Sequence, residues 1–271
     1  MRIIHRNIVK RAELSASATS GALAVTNLKT DDKSRVFRAP GTSVTITGTL
    51  PTAEVVASFH LPFCNLSPGA TWRIRLYSGI AGTGLVRDTG SVVAAPAPAR
   101  VLEDWTPAQA ASAYSNGGGA HAAIWFPATS ARSFVIDIAD VGNLQGYIEA
   151  AGALVAGEYW QPVEGASAAS FAPVDATELY RTAGGGQMAV AGSIHRNMVV
   201  ELGHMEPADR TKAVALLMNS RASPVLVSVF PANSDAALER DYAIYGRRSV
   251  DDDIAIKYAL AYSSRLTIEE I

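Results

Sequence analysis

What most constrains this chain is a period-two alternation of apolar and polar residues, repeated in short runs that end in turn formers. In "TSVTITGTL" (Thr42–Leu50) Val44, Ile46 and Gly48 fall on one face, and Ser43, Thr45 and Thr47 on the other. Side chains of a strand point alternately to opposite faces, whereas a helix would scatter this pattern around its axis. "EVVASFHL" (Glu54–Leu61), "TWRIRLY" (Thr71–Tyr77) and "RSFVIDIAD" (Arg132–Asp140) repeat it, the last with Phe134, Ile136 and Ile138 on one side. Short half-buried strands separated by Gly, Pro and Ser breaks predict a mainly β fold, a sandwich or jelly roll.

Composition agrees with that expectation and narrows the function classes. Of 271 residues 48% are hydrophobic, enough for a sizeable core, and only 18% are charged. A net charge of -2 and a pI near 6.2 give no global field for nucleic acid or an anionic membrane. One cysteine excludes an internal disulfide framework, so stability has to come from packing or assembly. The opening "MRIIHRNIVKRAELSAS" lacks the apolar stretch of a secretory signal. No run approaches the roughly 20 apolar residues of a membrane helix. A product that starts in the cytosol, in solution, is expected.

The pattern divides the chain in two. Residues 1–158 are read as the jelly roll, with 80–121 as an irregular insertion, because "GIAGTGLVRDTG", "AAPAPAR" and "SNGGGAH" are dense in turn formers. From residue 159, within the pattern change at "EYWQPVEG" (Glu158–Gly165), a smaller β-rich α+β domain is expected. Its best helix spans 206–221, with Pro207 in the first turn, Asp209 at the positive end and Val214, Leu217 and Met218 as the buried stripe. "SPVLVSVFP" reads as a buried strand. The tetrapeptide "IHRN" occurs at Ile4–Asn7 and Ile194–Asn197 without matching flanks, and is not a repeat.

Candidate chemistry is sparse. His60 and Cys64 flank Pro62, so they do not share a helix face, and no second cysteine completes a zinc set. Buried scaffold is the expectation for both, with "NLSPGAT" turning the chain at Asn65, Pro68 and Gly69. His195 and His204 lie nine apart and do not make the HExxH spacing. No GxSxG elbow and no Gly-Lys pair of a phosphate loop is present. Asp251–Asp253 and Asp31–Asp32 offer hard oxygen ligands, but without the EF-hand alternation and closing glutamate a solvated loop is the better reading of Asp251–Asp253, and Asp31–Asp32 carry the same ambiguity at a turn. Catalytic, cofactor and metal residues are therefore expected to be none. Trp105 and Tyr114, beside the irregular segment, are the residues expected to contact a glycan or a protein partner, since a flat apolar ring with a polar edge suits either. Trp125 in "AAIWFP" is read as a core strand residue.

The order of motifs resembles the galactose-binding-like (discoidin-type) jelly-roll domains of structural tail proteins of tailed bacteriophages. The likeness rests on Asn27-Leu28, Asp31, Phe37-Arg38, Asn65-Leu66, Gly69-Ala70-Thr71 and Gly146-Tyr147-Ile148-Glu149. Later come "RTAGGGQ", "SPVLVSVFP", "YAIYGRRS" and a closing "LTIEEI". Phe37 stands where tryptophan is usual, and Phe63-Cys64 precede Asn65 where histidine is more common. The resemblance implies a non-catalytic virion protein of a tail tip or baseplate, without cofactor and assembled in the host bacterial cytoplasm. Its partners would be other tail proteins and further copies in a ring, with no nucleic acid and no membrane insertion. Two other classes stay open. A carbohydrate-binding module could itself act as the host-recognition element through a surface glycan. A polysaccharide hydrolase would need two carboxylates about 5–10 Å apart, which no spacing marks.

Overall fold

Strand pairing organises the protein into two antiparallel sheets and a short ribbon. The computed structural model describes residues 1–100, 118–219, 221–249, 253–258 and 261–271. The first sheet holds β2 (Glu13–Ala16), β3 (Val36–Pro40), β4 (Ser43–Cys64), β5 (Thr71–Tyr77), β6 (Leu85–Val93), β7 (Ala120–Ala139), β8 (Tyr147–Ala151) and β9 (Val155–Gly157). Its spine is the order β3-β8-β4-β7-β5-β6, with β2 and β9 also on β4. The sandwich arises because β4 and β7 are 22 and 20 residues long and bend. Their ladder slips between Thr49 and Glu54, between Val56 and Ser58, and between Leu61 and Cys64. Pro51 and Pro62 on β4, and Pro127 on β7, fall in those slips, where a residue without an N–H costs no ladder bond. The runs 42–50 and 54–61 are thus halves of one strand. Across the bend the inner faces meet, as in the 5.1 Å edge contact of the Phe59 and Phe134 rings. Trp72, Ile46, Leu61 and Leu76 fill the space around them.

The second sheet runs β1-β14-β15-β17-β13-β10, with β16 also on β17. It contains β10 (Ala168–Asp175), β13 (Ile194–Met205), β14 (Val225–Ser228), β15 (Ala243–Arg248), β16 (Ile254–Tyr258) and β17 (Ala261–Glu270). Its outer strand β1 (Arg2–Ile4) comes from the start of the chain and pairs with β14, so residues 2–4 belong by hydrogen bonding to the sheet of the second half. Helices α1 (Pro207–Met218) and α2 (Ala236–Asp241) cover it. The two sheets join through Ile4, Leu226 and Tyr245 on one side and Phe63, Ala151, Ala153 and Val155 on the other.

Two expectations change. Within 80–121, residues 85–93 are the strand β6, paired with β5 through a ladder that slips between Arg73 and Arg75. The turn formers Asp88–Gly90 that suggested a loop sit at that irregularity. On α1 the buried residues are Asp209, Ala213 and Leu216, while Val214 and Met218 are exposed. The helix is rolled about its axis because Asp209 faces inward, where its Oδ1 accepts from Trp160 Nε1 at 2.9 Å and Oδ2 from Val163 N at 3.0 Å.

Candidate functional site

The stretch from His60 to Thr71 is scaffold. Cys64 Sγ donates to Ala120 O at 3.3 Å, and burial pushes its thiol up to about 12, so it is neither a nucleophile nor a ligand at neutral pH. Pro68 and Gly69 are the central residues of a turn closed by Ala70 N on Ser67 O at 2.9 Å. Buried Asp140 accepts from Ser67 N at 2.8 Å and from its hydroxyl. Asn65 stitches the turn to the neighbouring strand: Nδ2 donates to Tyr147 O at 2.9 Å and Oδ1 accepts from Glu149 N at 2.7 Å.

His60 does have a chemical neighbour that its sequence context concealed. Its Nδ1 lies 3.4 Å from His121 Nε2, and Trp125 covers its ring edge-on at 4.4 Å. The pairing depends on the β4–β7 register, which no local pattern encodes. Trp125 is on a strand as expected, but on the face that meets the second sheet rather than inside the sandwich. Its Nε1 donates to Glu239 Oε1 at 2.8 Å, and the Arg2 guanidinium lies 5.1 Å from its ring centre.

Three surfaces are candidates for contact. The first is a hollow of about 340 Å³ on the outer face of the first sheet. Thr45, Asp137 and Arg73 are register neighbours across β4, β7 and β5, with Ser91 next on β6. Thr45 Oγ1 donates to Asp137 Oδ1 at 2.8 Å and Arg75 to Oδ2 at 2.6 Å. Arg73 pairs with Asp88 and holds that carboxyl down at about 2. The second is a cleft of about 610 Å³ where Asp31, Asp32 and Lys33 meet His195, Arg247 and Glu269 of the second sheet. Most of its charges already have partners: Asp31 takes Tyr245 Oη at 2.7 Å and Lys10 at 2.6 Å, and Glu269 lies 3.0 Å from His195.

The third is a ribbon. Beyond the root formed by β10 and β13, the chain continues as β11 (Glu178–Arg181) and β12 (Gln187–Val190), which pair only with each other. Every residue from Glu178 to Ala191 is exposed. The tip is the "RTAGGGQ" motif, where Gly185 takes φ +82°, a conformation that a Cβ would strain. Tyr180 pairs with Met188 and Glu178 with Val190, so Tyr180, Met188 and Val190 share one face, and Leu179 lies on the other.

The remaining sequence expectations are placed as follows. Trp105 and Tyr114, like Asp251 and Asp252, lie outside the described residues. His204 is exposed. The two "IHRN" copies have unrelated roles: Asn7 caps the turn Ile8–Arg11 from the end of β1, while Asn197 sits within β13. Among the described residues, no group of three or more His, Cys, Asp or Glu converges as a metal site, and no helix is long and apolar enough to cross a membrane.

No protein-family model and no curated protein matches the chain. Among solved structures, it is similar to chitosan-binding module 1 of a chitosanase/glucanase from Paenibacillus sp. IK-5. That match has 11% identity and a TM-score of 0.41, and covers 57% of this chain and 100% of the module. A carbohydrate-binding module, CpGH89CBM32-5 from Clostridium perfringens, solved with GalNAc-β-1,3-galactose, matches at 11% identity and 0.38, over 56% of this chain and 100% of the module. A Ruminococcus gnavus GH29 fucosidase matches at 12% identity and 0.39 over 57% of this chain, which spans 27% of that enzyme. The sandwich assignment rests on the strand pairings above.

Proposed function

We propose that this chain is a non-catalytic subunit of a larger protein assembly, a tail-tip or baseplate component of a tailed bacteriophage that is put together in the host cytoplasm. The observation that carries this reading is the ribbon of residues 176–193. A two-stranded ribbon standing alone is at best marginally stable in water, and it reaches about 20 Å from its root at 3.3 Å per residue. Yet it exposes Leu179, Tyr180, Met188 and Val190, each by half or more of its surface. Apolar groups held out in this way gain their burial from a neighbouring protein subunit. The exposed Val214 and Met218 on α1 extend the apolar surface of the same half. The order of sequence motifs is what supports a tail assembly as its setting.

Cryo-electron microscopy of intact particles tests it, with particles carrying a variant in which 177–192 are replaced by Asn-Gly. The wild-type ribbon should lie against a neighbouring subunit, and the shortened protein should fail to be incorporated although it folds. A protein absent from the particle, or a ribbon bare in solvent there, refutes the reading.

A second reading, glycan recognition, is favoured by the hydroxyl- and guanidinium-lined hollow over Thr45, Asp137, Arg73 and Ser91, whose groups match those that bind sugar hydroxyls. Of the solved modules named above, one is named for chitosan binding and one was solved with GalNAc-β-1,3-galactose. Glycan-array retention that is lost in Arg73→Ala and Asp137→Asn would place it in the hollow. Loss in Trp105→Ala or Tyr114→Ala would place it in the segment 101–117. No retention by the wild-type protein removes the reading.

A further inference from the structure

The junction of the two sheets is built around a pair of histidines that carry no role in the readings above. His60 is fully buried, with β7 on one side of its strand and β9 on the other. Its Nδ1 faces His121 Nε2 at 3.4 Å, a spacing that at most one proton can bridge, and its Nε2 has no partner. Trp125 lies over the ring of His60 and is bonded in turn to Glu239 of α2, while Tyr159 stands edge-on to Trp125 at 5.4 Å. His60 is therefore covered, and His121 half-buried, with parts of the second half of the structure packed over them.

The charges around this pair are arranged against a second positive charge. From β1 comes Arg2, stacked on Trp125 and Tyr159 and bonded to Gln161 at 3.0 Å. Arg100, which precedes the segment 101–117, reaches Asp241 and the Arg240 carbonyl at the end of α2. Arg240 itself bonds Asp241 and the Pro98 carbonyl. From β13 comes Arg196, paired with Glu270 of β17. The nearby carboxylates are thus engaged elsewhere: Glu239 by Trp125, Asp241 by Arg100 and Arg240, and Glu270 by Arg196. Among the described residues none is bonded to either imidazole.

We propose that the junction is an acid-sensitive latch: protonation of the His60–His121 pair drives β1 and α2 off the face of β4 and β7. Closed, His60 is fully buried, His121 is half-buried and the pair sits among cations; open, each imidazole is hydrated and free to charge.

The direction follows from linkage. Burial, then the neighbouring His121 and Arg2, hold His60 well below its ordinary value. Burial, then Arg196 and Arg100, hold His121 down at about 3. A group depressed in the closed state gives its stability above the open-state value near 6.5 and loses it progressively as the pH falls below that. At pH 5 His121, held at about 3 when closed, raises the open population about 30-fold, and the depressed His60 acts in the same direction. His5, also depressed by burial with Lys212 and Arg6 near it, adds to any total slope, so the pair has to be isolated by substitution.

Hydrogen–deuterium exchange of the full chain between pH 7.5 and 5, corrected for the intrinsic pH dependence of amide exchange, tests this. Amides of β1 and α2 should open about 30-fold more or beyond at pH 5, while β5 and the inner half of β7 keep their protection. His121→Gln should remove about 30-fold of that response and His60→Gln a further part of it. Should either variant fail to fold, imidazole C2-proton exchange on the wild-type protein gives the same answer, with both rings untitrated down to pH 5 while the chain is closed. A pH-independent junction overturns the latch. So does opening of β5 in step with β1, or imidazoles that titrate near 6.5 in the closed protein.

Discussion

Trp160 Nε1 donates to Asp209 Oδ1 at 2.9 Å in a site where both residues are less than a tenth exposed. The bond ties the segment after β9 to the first turn of α1, and the other carboxylate oxygen holds Val163 N. Asp209→Ala should leave the buried Trp160 indole N–H and the partly buried Val163 N–H unpaired and cost about 1–3 kcal/mol, most of it from the buried indole. Asp209→Asn keeps one acceptor and should cost about half as much. Urea unfolding followed by tryptophan fluorescence should show lower midpoints at an unchanged slope. An alanine variant as stable as wild type would mean that water already satisfies those donors.

Gly48 leaves no room for a side chain inside the first sandwich. A Cβ built there would lie 2.0 Å from Phe134 Cζ, and the Phe134 ring is itself fully buried against Phe59. Gly48→Ala should therefore cost about 1–3 kcal/mol by overpacking. Phe134→Leu in that background should cost less than Phe134→Leu alone, a coupling that thermal or urea melts of the four proteins would reveal. Additive costs would show that the ring swings aside freely.

These two sites mark what the sequence could and could not disclose. The alternation placed Val44, Ile46 and Gly48 on the inner face, together with Phe134, Ile136 and Ile138, because a half-buried strand writes its two faces into every second residue. The unity of β4 was hidden because prolines that end strands elsewhere occupy bulges here. β6 was hidden for the same reason, its turn formers lying at a slip in the ladder. The roll of α1 was misjudged because a buried aspartate replaced an apolar residue in the stripe, a choice made by Trp160 nearly fifty positions away. β1 is three residues long, too short for any period, and its pairing with β14 is purely tertiary. His60 and His121 come together only through the register of two long strands. Of the contact surfaces, the ribbon was visible only as a glycine-rich motif.

The thiol of Cys64 offers a direct probe of the first sandwich. With burial raising it to about 12 and Sγ bonded to Ala120 O, the native protein should not react with a disulfide reagent at pH 8. In denaturant one equivalent should react at once. Trapping under native conditions should follow the opening of the sandwich, and so should speed up in Gly48→Ala. Fast stoichiometric labelling of the native protein would contradict the burial of this strand.

The Arg196–Glu270 pair sits at the root of the ribbon, and its loss should be felt both in stability and in the ribbon itself. Glu270 Oε1 takes two bonds from the guanidinium, at 3.0 and 2.5 Å, and Arg196 also donates to Ala243 O at 3.0 Å. The carboxylate side chain has no exposed surface, so Glu270→Ala strands a largely buried cation and should cost about 3–5 kcal/mol. Arg196→Met with Glu270→Leu removes both charges and should cost clearly less, because desolvation of the pair offsets much of its attraction. Arg196 lies opposite Pro173 on β10, the strand that carries the ribbon outward. Amide exchange in Ala168–Asp175 should therefore rise in Glu270→Ala beyond the change seen in β14. A uniform change across the second sheet would mean that the pair stabilises the sheet without anchoring the ribbon.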